Sequence, residues 1–233
     1  MGKDTTNVKP GELNYERYSS KKYDRDIVNS IPHHSEIHEQ LRLFITKNFD
    51  KNQKYSIIDL GVGTGITSKL FQDLLPNARL DVVDFSRKML NSAKKRLGHK
   101  SVNYILGNYA TLKFNEKYDI VVSVIGIHHQ SNNGKKRLFK KIYSMLKPNG
   151  IFIFGDLVTY KNPHKAALNN ALHYHYLVEH ATDEKTLTEW AYHHLFLNDL
   201  APIEDQIVWL KKTGFKVKTL LLQMGTALLA CQK

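Results

Sequence analysis

Short apolar runs alternate with amphipathic stretches through most of the chain, and that alternation predicts its elements. Residues 55–60 are isoleucine-rich and end in glycines, the pattern of a strand buried on both faces. A helix is expected over 64–75, closed by Pro76 and Asn77, followed by a strand at 79–83, a helix at 86–97, and strands at 102–106 and 118–124. The stretch 135–146 is amphipathic and stops at Lys147-Pro148-Asn149-Gly150, a turn that leads into a strand at 151–154. Upstream, Pro32 and Ser35 announce a helix over 36–49 whose Leu41, Phe44 and Ile45 face inward, whereas the segment before Ile31 is polar, tyrosine-rich and without clear periodicity.

Strands alternating with helices at this pace build βαβ units, whose right-handed crossovers give a doubly wound, Rossmann-like α/β sheet. Between Asp156 and Pro202 the rhythm changes to two helical stretches carrying His164, His173, His175, His180, His193 and His194, which predicts a cap inserted at about 157–201. A helix at 203–213 and two apolar runs, 216–222 and 226–231, separated by Gln223-Met224-Gly225, then predict a terminal β-hairpin. The 233 residues suit one such domain over 36–233, preceded by a helical flap at 1–35.

Composition changes this picture little. No apolar run approaches the roughly 20 residues of a membrane-spanning helix, and residues 1–10 are polar, so a cytoplasmic protein is expected. The lone Cys231 has no partner for a disulfide or a cysteine-rich zinc site. A net charge of +12 leaves an anionic partner such as RNA open. The basic pairs and triplets, among them Lys94-Lys95-Arg96 and Lys135-Lys136-Arg137, fall on separate predicted helices and read first as solvated helix faces.

The candidate chemistry begins at Ile57-Ile58-Asp59-Leu60-Gly61-Val62-Gly63-Thr64-Gly65, a strand that runs through a glycine turn into a helix. Glycines there let backbone lie against a bound nucleoside. Dinucleotide folds prefer a further glycine where this chain has Ile66, so a ligand without a pyrophosphate fits better. Asp84 ends the second strand, where a carboxylate can accept both ribose hydroxyls; the alternative is a cap on the helix beginning at Ser86.

With these residues the chain resembles the class I S-adenosylmethionine-dependent methyltransferases, from about residue 55 to the C-terminus. The matching segments are Asp59-Leu-Gly-Val-Gly-Thr-Gly65, Val83-Asp84-Phe85-Ser86, Tyr118-Asp119-Ile-Val-Val-Ser123 with His128-His129, and Leu146-Lys-Pro-Asn-Gly150. The resemblance implies a seven-stranded sheet, mostly parallel with an antiparallel last strand, and S-adenosylmethionine as cofactor, leaving S-adenosylhomocysteine as product. It also implies that Asp59, Gly61, Gly63 and Gly65 carry the methionine moiety, and that Asp84 and Phe85 carry the ribose side. The segment after the third strand, Gly107-Asn108-Tyr109, would read the adenine, although the family often has aspartate where Asn108 stands. Asn108 can make the same bonds, or can bond its own backbone.

A sulfonium methyl is already activated, so the protein must chiefly align an acceptor and, where necessary, take its proton. His128 and His129 are the candidate catalytic pair, with packing as the alternative. Tyr15, Tyr18 and Tyr23 stand where the resemblance suggests a closing flap, or are exposed tether residues. The N-terminal segment also looks like that of the carboxy-S-adenosylmethionine synthases. Those enzymes use arginine to hold the extra carboxylate, and this chain has none after Arg137, which argues against that activity.

No metal site is expected, because His173 and His175 alternate on a helix and point apart, and no carboxylate-histidine pattern completes a site with His193 and His194. The cap histidines, with Tyr174, Tyr192 and Trp190, are expected to line an acceptor pocket. The function predicted is methyl transfer to oxygen or nitrogen of a small molecule. RNA or tRNA modification, an enzyme of an S-adenosylmethionine derivative, and a non-catalytic nucleoside-binding module are the alternatives.

Overall fold

The structure, a computed structural model, describes the backbone of residues 20–233 and side chains from residue 22. Seven strands form one sheet: β1 Ser56–Leu60, β2 Arg79–Asp84, β3 Val102–Leu106, β4 Tyr118–Val124, β5 Leu146–Leu157, β6 Lys216–Gln223 and β7 Thr226–Gln232. Their order is β3-β2-β1-β4-β5-β7-β6. The first five run parallel, and β7 is antiparallel to both β5 and β6. The described α-helices are α1 Ser20–Ser30, α2 His34–Asn48, α3 Ile66–Leu74, α4 Arg87–Leu97, α5 Asn132–Met145, α6 Pro163–His180, α7 Glu184–Tyr192 and α8 Ile203–Thr213. None of the described helices is long and apolar enough to cross a membrane.

Side chains alternate across a strand, so adjacent isoleucines of β1 serve opposite cores. Ile57 joins Leu80, Val82, Ile120, Val122 and Ile153 beneath Ile37, Leu41 and Ile45 of α2, Phe71 of α3, and Leu90 and Ala93 of α4. Ile58 joins Val83, Val121, Phe152 and Phe154 against Leu138, Phe139 and Ile142 of α5 and Leu210 of α8. Cover on both faces explains why the strands read as unbroken apolar runs. From β1 the chain moves one way to β2 and β3; from β4 it moves the other way to β5. The crevice at the strands' C-terminal ends, where the order reverses, is where such sheets bind ligands.

Local chemistry sets the helix starts. Ser86 accepts from the Met89 N–H at 3.3 Å, Ser131 from Gly134 at 3.1 Å, Asn162 from Lys165 at 3.0 Å and Asp183 from Thr186 at 2.7 Å, so each begins a helix as an N-cap. The cap, formed by α6, α7 and a π-helical turn His193–Leu197, closes at its base through a bridge between Thr159 and Pro202. The Thr159 N–H donates to the Ala201 carbonyl at 3.2 Å, and the Ile203 N–H donates to the Thr159 carbonyl at 2.9 Å.

Two expectations need correction, whereas the helix expected in the N-terminal flap is present as α1; Tyr23 and Ile27 stand four apart on it, a short apolar stripe interleaved with charges. Strand β5 spans Leu146–Leu157 rather than 151–154, and Lys147 to Gly150 is an irregularity within it: Tyr118 pairs with Leu146, and Ile120 with Ile151. Lys135 is not on a solvated helix face. It is 1% exposed, its ammonium donates to the carbonyls of Gln130 and Asp199, and burial lowers its pKa to about 8. It thereby ties the start of α5 to the end of the cap. Tyr15 and Tyr18 lie outside the described residues.

Candidate active site

Two cavities meet at the crevice. The smaller, about 410 Å³ counted out to its mouth, lies over the glycine loop and is lined by Gly61, Gly63, Asp84, Phe85, Met89 and Tyr109, among others. The loop backbone forms its floor. A Cβ added at Gly61 would stand 3.5 Å from the Tyr109 ring, and one at Gly63 would stand 3.8 Å from the Tyr23 ring, so side chains there would intrude on the space. Gly61 also sits at φ +87°, in the left-handed region that only glycine adopts readily.

Asp84 closes one end of this cavity. Its Oδ2 accepts from the Gly63 N–H at 2.9 Å and its Oδ1 from the Ser86 N–H at 2.8 Å. A carboxylate offers roughly four lone-pair directions, enough to serve several donors at once. Ser86, not Asp84, caps α4. A bare backbone floor, one acid at a strand end, and the apolar Phe85, Met89 and Tyr109 fit a nucleoside carrying an amino-acid tail.

Other residues singled out by sequence lie away from the cavity lining. Asp59 is 2% exposed beneath the loop, where it accepts from the Ser68 hydroxyl at 2.6 Å; burial, reinforced by the nearby Asp84 charge and partly offset by Ser68, pushes its pKa up to about 7. Gly65 starts α3, and a Cβ there would meet the Ala93 backbone at 3.3 Å, so it serves the close approach of α3 to α4. Asn108 turns its side-chain oxygen to the Ala110 N–H at 2.9 Å, the local backbone bond. Tyr109 does line the cavity, and its hydroxyl donates to the Gly126 carbonyl at 3.0 Å.

The larger cavity, about 710 Å³ to its mouth, lies between the sheet crest, α1 and the cap. Ile27, Ile31, Leu157, Leu177 and Trp190 give it apolar walls, and five histidines line it: His128, His129, His173, His193 and His194. Tyr23, Ile125 and His129 line both cavities and form their common boundary. His128 and His129 sit on a 3₁₀ turn just past β4. Asp156, at the end of β5, accepts from the His128 N–H at 2.8 Å and bonds the Nδ1 of the same ring. Facing a carboxylate, Nδ1 is the donor, which assigns the lone pair of the neutral ring to Nε2. His129 Nδ1 faces the Leu197 carbonyl at 2.9 Å, and the same logic puts its lone pair on Nε2. Burial, together with His128 and His193, holds the His129 pKa well below the usual histidine range. Burial also lowers His173 to about 3, helped by His194, and His194 to about 4, helped by His128.

Helix α1 joins the two halves. Its Asp24 bonds the Thr64 hydroxyl and pairs with Arg96, which also donates to the Thr64 carbonyl at 2.9 Å. Toward the cap, the ring of His173 bonds the Ser30 carbonyl at 3.2 Å, and the Tyr176 hydroxyl donates to the Val28 carbonyl at 3.1 Å. Sequence reasoning expected a helical flap but did not single out Asp26, Ile27, Ser30 and Ile31 as cavity residues; the four-residue spacing of Tyr23, Ile27 and Ile31 was the available signal. It also did not foresee Asp156 beside His128, a contact between residues 28 positions apart.

The chain matches a family model described as a methyltransferase domain over residues 57–150, in keeping with its resemblance to the class I S-adenosylmethionine-dependent methyltransferases. More particularly, it is 32% identical over 117 residues to malonyl-[acyl-carrier protein] O-methyltransferase 2 of Ilyobacter polytropus, a match covering 50% of this chain and 43% of that protein. It is 28% identical over 142 residues to carboxy-S-adenosyl-L-methionine synthase of Campylobacter fetus, covering 60% of this chain and 59% of that one. The chain thus matches about half the length of these curated relatives. An O-methyltransferase family protein from Burkholderia thailandensis shares the fold, with a TM-score of 0.64 at 15% identity over 90% of this chain and 59% of the other. Human N-acetylserotonin methyltransferase in complex with S-adenosylmethionine aligns with a TM-score of 0.61 at 13% identity, over 92% of this chain and 56% of that one.

Proposed function

We propose that the protein transfers the methyl group of S-adenosylmethionine to an oxygen or nitrogen atom of a small molecule enclosed beneath the cap. The observation that carries this reading is the shared boundary of the two cavities at Tyr23, Ile125 and His129. A nucleoside over the glycine loop and an acceptor under the cap would meet there. The cofactor, when bound, supplies a methyl group already activated by its positively charged sulfur. Asp84 would hold the ribose hydroxyls, the backbone at Gly61 and Gly63 would support the amino-acid tail, and Phe85, Met89 and Tyr109 would enclose the base and sugar. Helix α1 and the cap exclude water and fix the acceptor, which supplies much of the rate of a transfer that depends on alignment. His128, oriented by Asp156, presents Nε2 as a hydrogen-bond acceptor for the atom to be methylated.

The names of the relatives favour a second reading, a malonyl carboxylate on a carrier protein. The cavity lining opposes it. Asp26 and Glu189 line the space together with five histidines, and no lysine or arginine is among the described residues that line it. A carboxylate there would meet the acids Glu189 and Asp26, the latter paired with Arg25, whereas amines, phenols and alcohols bring donors that these groups can receive. Label from methyl-labelled S-adenosylmethionine, followed into a panel of amines, phenols, alcohols and a malonyl thioester, tests the choice. Labelled amine or hydroxyl products are expected. Transfer only to the malonyl thioester would reverse the acceptor assignment, and cofactor binding with no transfer to any member would favour a non-catalytic module.

A further inference from the structure

The fold brings together a side-chain cluster that no stretch of sequence displays. His128 and His129 come from the turn after β4, and His193 comes from the π-helical turn that ends the cap, 64 positions beyond His129. One ring nitrogen from each lies within 4.8 Å of the others. We infer that His128, His129 and His193 form a binding site for a divalent late first-row transition ion of the zinc class.

Convergence of the three rings is the first reason. Tetrahedral bonds of about 2.0–2.1 Å place ligand nitrogens roughly 3.3 Å apart, so side-chain shifts of about an ångström complete the set. The second reason is the way the rings are held. Imidazoles that bind metals generally donate their other N–H to a carboxylate or a backbone carbonyl, which fixes tautomer and direction. His128 does so to Asp156, and His129 does so to the carbonyl of Leu197 at 2.9 Å. The turn that supplies the Leu197 carbonyl also delivers His193, so one irregular segment both orients a ligand and provides another. Such π-turns are rare and are frequently found at functional sites. An all-imidazole set suits zinc, cobalt, nickel or copper, and not the oxygen-seeking magnesium or calcium.

All three rings line the larger cavity. A fourth position on the ion would therefore face the space assigned above to the acceptor, and could take water or an acceptor's oxygen or nitrogen. With the ion in place, the ring nitrogens act as ligands and no longer as proton acceptors. Binding of the ion itself is independent of methyl transfer, so failure of either reading leaves the other standing.

The test uses untagged full-length protein, stripped with chelator and dialysed, because a histidine tag would bind the same ions. Zinc(II) is titrated by calorimetry and cobalt(II) is followed by its visible absorption. One equivalent should bind with the spectrum of a four- or five-coordinate site. His193→Ala should weaken that binding by at least about tenfold, as should the milder His193→Asn, with each variant's fold checked by circular dichroism. His164→Ala, an exposed residue elsewhere on the cap, should bind as the wild type does. Absence of stoichiometric binding by the wild type would overturn the site, as would equal affinity in the wild type and both His193 variants.

Discussion

The two halves of the crevice are built from different materials. Over the glycine loop the walls are largely backbone, one carboxylate and a few apolar rings, supplied by the segments following β1, β2 and β3. Under the cap the walls are side chains, five of them imidazoles, gathered from α1, the turn after β4, α6, α7 and the π-turn. Backbone walls suit a ligand common to many proteins, because they depend on chain geometry rather than on residue identity. Side-chain walls suit a ligand peculiar to one protein. In this account the first half holds the methyl donor and the second half selects the acceptor.

Four substitutions sharpen or break that division. The largest effect is expected at Asp59, beneath the donor half. Its folded pKa of about 7 lies above the ordinary 3.8, so the folded state binds the proton more tightly than the unfolded chain. That contribution to stability is complete below about pH 4 and is lost as pH rises through about 7. Asp59→Asn keeps an acceptor for Ser68 and does not titrate. Denaturant unfolding should show the wild type losing stability relative to the variant across that range, by up to roughly 4 kcal/mol at 1.36 kcal/mol per unit; parallel pH profiles would contradict the buried acid.

Next is Asp84→Ala, which removes charged hydrogen bonds worth about 1.5–3 kcal/mol and should weaken S-adenosylmethionine binding roughly ten- to a hundredfold by calorimetry. Gly65→Ala should lower stability by about 1–2 kcal/mol in thermal or denaturant unfolding, because an L-residue is forced to φ +88° against Ala93. Its cofactor affinity, measured on the folded fraction, should stay close to that of the wild type, since Gly65 packs helices rather than lining the cavity. Trp190→Leu thins a wall of the acceptor half alone; KM for an identified acceptor should rise roughly tenfold while the cofactor Kd stays unchanged. A matching loss of cofactor affinity there would merge the two halves.

The same contrast explains what could be read from sequence. The sheet and the donor half are encoded in contiguous segments, since strand, glycine turn and following helix lie within residues 56–74, and the acid that lines the cavity ends the next strand. The acceptor half depends on distant pairings: His128 with Asp156, His173 with Ser30, and His193 with His129. No local period announces such meetings. Asp59 and Gly65 show the reverse limit, because the motif draws attention to them while the structure places one under the loop and the other between helices. A helical flap was expected, but the bounds of α1 were not legible, because burial against the cap and the loop, not a strong local period, stabilises so short an element.

Calorimetric titration of S-adenosylmethionine into wild-type, Asp84→Ala and Trp190→Leu protein tests the division most directly. The account predicts one site in the wild type, at least about tenfold weaker in Asp84→Ala and unaltered in Trp190→Leu. Absence of heat with the wild type, or an affinity that follows Trp190 and ignores Asp84, would contradict it.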